Sequence, residues 1–164
     1  MALAMLEKKP YDPKDVEPRM YALWEQSGYF NPDNVPRKNG APFAVLLPLP
    51  NITGSLHMGH TLNATLSDIL VRMRRMQGYD TVWFPGTDHA GIAAQNVVEK
   101  ELKKEGMTRH KLGRAAFLAR VWEWKKKYGD IIIGQLKTMG ASCDWSRSRF
   151  TLDPAYVDAV RDAF

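Results

Sequence analysis

Cysteine is nearly absent from this sequence: Cys143 stands alone among 164 residues. That excludes an intrachain disulfide and any zinc cluster built on several cysteines, and it fits a reducing, cytoplasmic setting. No apolar run approaches the roughly 20 residues a membrane-spanning helix needs, so no membrane partner is expected. The opening Met-Ala-Leu-Ala-Met-Leu runs straight into Glu7, Lys8 and Lys9 and lacks the features of a secretion signal. No internal repeat or low-complexity segment is present. Neither sign of charge dominates: 23 Lys and Arg face 18 Asp and Glu, a net charge of +5. Such a balance permits a polyanionic partner such as RNA or a nucleotide without requiring one. The basic clusters, Arg72-Arg74-Arg75 and Lys125-Lys126-Lys127, read as solvated helix faces. What remains, 45% hydrophobic and 25% charged residues, is the composition of an ordinary globular domain with enough chain for a core.

The apolar spacing gives an order of elements. Asp12 to Ser27 reads as a helix capped by Asp12 and stopped by Gly28, with Val16, Met20, Leu23 and Trp24 on one face. Asn31 to Pro42, with three prolines, reads as a linker. Phe43 to Leu47 reads as a strand buried on both faces. A helix follows from about Leu56 to Gln77, its core stripe formed by Leu62, Leu66, Ile69, Leu70, Met73 and Met76. Asp80 to Phe84 reads as a second strand, and a polar turn at Thr87–Gly91 leads into a helix ending near Glu105. Strand, helix and strand at this spacing form a β-α-β unit of an α/β fold with a parallel sheet. Thr108 caps a long helical stretch to about Met139, with a bend expected near Gly129. A last helix starts near Asp153, and the chain end at Phe164 interrupts its amphipathic pattern, which reads as truncation.

Ligands of a parallel α/β sheet bind beyond the carboxyl ends of its strands. Two polar segments leave those ends, Pro48–His60 and Gly86–Gly91. They place Asn51, Thr53, His57, His60 and Asp88 around one crevice. His57 and His60, three apart at a helix start, share a face. A helix start attracts phosphate through its unsatisfied amides and its dipole. The two imidazoles can add donors to charge growing on a phosphoryl group, and Gly59 lets a flat base or ribose approach the backbone. Two such histidines also serve as half of a metal site, with Asp88 or His89 as third ligand, although no second metal-type cluster supports that use. Asp88 precedes a helix and can equally be its N-cap. Asn51 can equally shape a turn. Trp83, Trp122, Trp124 and Trp145 read as packing rather than base stacking.

Pro48-Leu49-Pro50-Asn51-Ile52-Thr53-Gly54-Ser55-Leu56-His57-Met58-Gly59-His60 resembles the signature of the class I aminoacyl-tRNA synthetases in its valyl form. Trp83-Phe84-Pro85-Gly86-Thr87-Asp88-His89-Ala90-Gly91-Ile92-Ala93-Ala94-Gln95 resembles a second block of the same enzymes. The likeness extends to Tyr11–Phe30, to Trp122–Trp124 and to Asp144-Trp145-Ser146-Arg147, nearly the whole chain. It implies a Rossmann-like nucleotide-binding fold, of which this would be the first half. It also implies amino-acid activation, in which the valine carboxylate attacks the α-phosphorus of ATP, with Mg²⁺ accompanying the nucleotide. On that resemblance Thr53, His57, Gly59 and His60 bind ATP, with His57 and His60 donating to its phosphates as the catalytic pair. Pro48, Pro50, Asn51 and Asp88 bind the amino acid, Asp88 through its ammonium group. No resident metal site is implied.

The implied organisation is an N-terminal helical extension and linker at 1–42 and the first half of the catalytic fold at 43–140. Residues 141–164 would then start the segment leading to an editing insertion. Leu49 and Ala94 depart from the valyl pattern, which usually has proline and threonine there. No Lys-Met-Ser-Lys-Ser sequence occurs. The expected alternatives to a working enzyme are therefore a non-catalytic ATP-binding module, or one half of a split or minimal synthetase awaiting a partner chain with that loop. Binding of tRNA by this chain alone is expected to be weak or absent.

Overall fold

The structure, a computed structural model, describes residues 10–36 and 40–164. The apolar start and residues 37–39 of the linker lie outside the described residues.

Helix α1, Pro13–Ser27, starts as its sequence dictates: the Asp12 side chain accepts from Lys14 N–H, and Gly28 ends the helix at φ 72°. Tyr21 ties α1 to the body, its hydroxyl donating to the Ala141 carbonyl and accepting from Trp145 Nε1, each at 2.8 Å. Strand β1, Pro42–Leu46, pairs in parallel with β2, Asp80–Phe84, through helix α2, Met58–Met76. The β-α-β unit is thus present, in the register Phe43 opposite Thr81 and Leu46 opposite Phe84.

Two short strands form a second, separate parallel pair, β3 at Gly86–Thr87 and, far along the chain, β4 at Arg149–Phe150. Between them lie α3, Ile92–Lys104, α4, Arg109–Leu112, and α5, Arg114–Thr138. Helix α6, Pro154–Ala163, closes the order. The main core gathers Ala64 and Val71 of α2, Trp83 of β2, Ile132 and Leu136 of α5, and Cys143 and Phe150 beyond it. A smaller cluster, Val98, Leu102 and Phe117, joins α3 to α5.

Four expectations need correction. Strand β1 is not buried on both faces: its residues alternate, Val45 packing against the core while Pro42, Ala44 and Leu46 on the other face stay exposed. The apolar stripe of α2 does not face the core: Leu62 is 62% exposed and Met76 89%, while the smaller Ala64 and Val71 are the buried pair. The long helix breaks at Gly113, whose φ of 81° no helix can contain, and then runs unbroken through Gly129. The arginines of α2 are clamps rather than a solvated face. Arg72 donates to Asp68 and to the Gly140 carbonyl, Arg75 to Ser142, and Arg74 lies 4.6 Å over the Tyr79 ring. Of the lysine cluster, Lys125 sits 4.5 Å over the Phe150 ring and Lys127 5.5 Å over that of Tyr128.

Candidate active site

The segments that follow β1 and β2 are stitched together by backbone. Asp88 N–H donates to the Pro50 carbonyl at 2.8 Å, Ile52 N–H to the Asp88 carbonyl at 3.0 Å, and Asn51 pairs with Asp88 as an isolated parallel bridge. Helix α5 holds this junction from behind. Trp124 Nε1 donates to the Ile52 carbonyl at 2.7 Å, and Gln135 Oε1 accepts from Leu56 N–H at 2.8 Å. Ile52 itself is buried in the core. Gln135 carried no signal in the sequence, and Trp124 read there as packing alone; the structure adds a hydrogen bond to its stacking on Tyr128.

His57 is the N-cap of α2, and the first-turn amides, expected from the sequence to be unsatisfied, are in part engaged. His57 Nδ1 accepts from Gly59 N–H at 3.1 Å, and His60 Nδ1 accepts from His57 N–H at 3.3 Å, a reciprocal cap made of two imidazoles. The rings lie 3.9 Å apart, centroid to centroid. Gly59 permits this fold-back, because a Cβ there would meet the His57 ring at 3.0 Å. The pattern assigns the tautomer: a ring nitrogen that accepts cannot carry the proton, so in each neutral imidazole the proton sits on Nε2. Both rings therefore offer an N–H donor beside a positive helix end. Desolvation, and secondarily the neighbouring His57, hold His60 below the ordinary value of 6.5, which favours that neutral form.

Asp88 is not the N-cap of α3: Gly91 is, without a side-chain bond. Instead Asp88 Oδ1 accepts from Ala90 N–H at 2.7 Å, closing a turn ahead of the helix. His89, which had no derived role, contacts Thr151 through both its backbone N–H and its ring.

A cleft of about 110 Å³ at the start of α2 is lined by Pro48, Pro50, His57, Gly59 and His60, joined by Asn63, which the sequence reading missed. Asn51, Thr53 and Asp88 lie outside that cleft, Asn51 and Asp88 on the adjoining bridge and Thr53 on the turn between. Larger concavities, about 1090 Å³ beside α1 and about 670 Å³ around Tyr79, hold none of these residues. Among the described residues no group of three or more His, Cys, Asp or Glu side chains could hold a metal ion. Nor is any described helix long and apolar enough to cross a membrane.

With this geometry in view, the chain belongs to a known family: residues 19–164 match the tRNA synthetases of class I (I, L, M and V). Within it, the chain is similar to the valine--tRNA ligases. It is 57% identical to that of Geobacter sulfurreducens over 159 residues, covering 95% of this chain and 17% of that protein. It is 55% identical to that of Caulobacter vibrioides over 161 residues, covering 98% of this chain and 17% of that protein. The chain thus spans about a sixth of the length of the curated relatives it matches. Its fold is that of part of a leucyl enzyme solved as a LeuRS–tRNA–LeuAMS ternary complex from Agrobacterium radiobacter. There the TM-score is 0.71 at 23% identity, covering 94% of this chain and 19% of that one.

Proposed function

We propose that the chain supplies the half-site that receives the triphosphate of ATP and the amino group of valine for valyl-adenylate formation, the first step of valyl-tRNA synthesis. The observation that carries this reading is the reciprocal histidine cap, which aims two Nε2–H donors beside a positive helix start. In phosphoryl transfer the protein mainly positions reactants and stabilises charge on phosphate oxygens. His57 and His60 do so as the transition state forms. Gly59 and Thr53 border the nucleoside, and Pro48, Pro50 and Asn51 border the valine side chain and amino group. Asp88 receives the ammonium group through a charge-assisted hydrogen bond. Mg²⁺ comes with the nucleotide, held by phosphate oxygens, as this ion usually is. In this reading 1–42 are an N-terminal helical extension and linker, 43–140 carry the site, and 141–164 lead toward an editing insertion. The acceptor tRNA belongs to the whole enzyme.

The test is valine-dependent ATP–pyrophosphate exchange by the chain beside a His57→Ala/His60→Ala variant prepared identically. Exchange that falls by about 10²-fold or more in the variant supports the reading. Exchange that is equal in both refutes it. A second reading, an ATP-binding half completed by another chain bearing the Lys-Met-Ser-Lys-Ser loop, is favoured by the exposed stripe of α2 and the one-sided β1. Silence of both proteins, with ATP binding retained by the parent, selects it.

A further inference from the structure

Thr151 lies 63 residues from Asp88 in the chain and reaches it because β4 runs beside β3. Arg149 N–H donates to the Pro85 carbonyl and Thr151 N–H to the Thr87 carbonyl, each at 3.2 Å. The strands meet so closely that a Cβ on Gly86 would stand 2.4 Å from the Arg149 carbonyl oxygen. Thr151 Oγ1, delivered this way, has three neighbours. It accepts from His89 N–H at 2.9 Å, lies 2.6 Å from His89 Nδ1, and lies 3.4 Å from Asp88 Oδ1.

A hydroxyl has one proton and two lone pairs. The arrangement is fully satisfied when His89 Nδ1 carries the ring proton and donates to Oγ1, leaving the hydroxyl proton for Asp88 Oδ1. In the other tautomer the hydroxyl proton goes to His89 and a lone pair faces the carboxylate. Asp88 Oδ1 also accepts from Ala90 N–H and lies 3.5 Å from His89 Nδ1, so all three polar groups that reach the carboxylate meet the same oxygen. Oδ2 has no hydrogen-bond partner among the described residues, and the side chain is 38% exposed. Ala90 is the one described non-glycine residue with positive φ, 56°, a conformation held here by that turn.

We infer that Thr151 is a positioning residue for amino-acid recognition: its hydroxyl, oriented by His89, occupies Oδ1 of Asp88 so that Oδ2 alone faces the incoming ammonium group. The inference rests on the reading that Asp88 binds that group, and the experiment separates the two. L-valine and 3-methylbutanoate, its analogue without the amine, are titrated into the chain, and the ratio of their affinities isolates the amine contact.

Thr151→Val, which keeps the shape and removes the hydroxyl, is expected to lower that ratio about tenfold. Thr151→Ser, which restores the hydroxyl, is expected to recover it to within about threefold, and Asp88→Asn to lower it at least as far as Thr151→Val. A merely structural role for Thr151 weakens both ligands together and leaves the ratio unchanged, which overturns the inference. If Asp88→Asn lowers the ratio and Thr151→Val does not, the inference falls while Asp88 keeps its role. If Asp88→Asn leaves the ratio intact, both fall. Should valine bind too weakly to titrate, the Asp88 χ1 from three-bond couplings decides. One rotamer in the parent and in Thr151→Ser with averaging in Thr151→Val supports the inference, and one rotamer in all three overturns it.

Discussion

Replacing Gly86 with alanine adds one methyl group where the chain has no space for it. The new Cβ would stand 2.4 Å from the Arg149 carbonyl oxygen and 2.8 Å from Leu49 Cδ2. Ordinary C···O approaches are about 3.3 Å or more, so β4 must retreat by about 0.9 Å. That strains or breaks the bonds from Arg149 N–H to Pro85 and from Thr151 N–H to Thr87. At about 1 kcal/mol net for each bond, and more where a buried carbonyl is left unpaired, the loss is about 2–4 kcal/mol. Reduced freedom of the unfolded chain returns about 0.4–1 kcal/mol. A net destabilisation of about 1.5–3 kcal/mol is expected in urea unfolding followed by tryptophan fluorescence. Leu49→Ala in the same background should not rescue it, because the leucine end can swing aside and the carbonyl cannot. A loss below about 0.5 kcal/mol, or rescue by Leu49→Ala, refutes the close strand approach on which Thr151 depends.

Other outcomes follow from the same geometry. Trp124→Phe keeps an aromatic ring, though a smaller one, and leaves the Ile52 carbonyl without its donor, at a cost of about 1–3 kcal/mol in the same unfolding measurement. Leu66→Glu and Met73→Lys, on the exposed stripe of α2, should each change stability by less than about 0.5 kcal/mol, whereas Val71→Asp in the core should prevent folding at ambient temperature. Those stripe variants should also reduce self-association seen by light scattering, since a one-sided strand beside an apolar helix face invites pairing. His60 should titrate by NMR with a midpoint below 6.5. Because its folded value is lowered, the unfolded chain takes the proton first. The contribution of His60 to stability is therefore complete above that range and is lost as pH falls from about 6.5 through the folded midpoint. A midpoint at or above 6.5 contradicts the capped, neutral imidazole.

The elements legible in the sequence were those marked by local chemistry. Asp12 and Gly28 bound α1 because a cap and a left-handed stop need those residue types, and the Pro-Gly after Phe84 ends β2 where the structure ends it. The stripe of α2 was legible as a pattern but not in its direction, since periodicity gives a helix an apolar face without saying what covers it. Here Ala64 and Val71 allow the close approach to the core, and the larger side chains point away. Gly113 and Gly129 look alike in sequence, and only the first adopts a positive φ. Strands of two residues, such as β3 and β4, are too short for any alternation to register. At the site, His57, His60 and Asp88 stood out because titratable groups clustered at strand ends. Gln135 and Thr151 act through hydrogen bonds to distant segments, and no local pattern encodes a partner 79 or 63 residues away.

The proposed function requires that His57 and His60, with Nδ1 engaged in the cap, present Nε2–H donors to a triphosphate. Long-range ¹H–¹⁵N correlation spectra of the histidine rings at neutral pH, with and without Mg²⁺-ATP, test it most directly. Nε2–H tautomers are expected for both residues in the free chain, with shifts of both Nε2 signals when the nucleotide binds. Nδ1–H tautomers, or Nε2 signals that stay in place while ATP binds, contradict it.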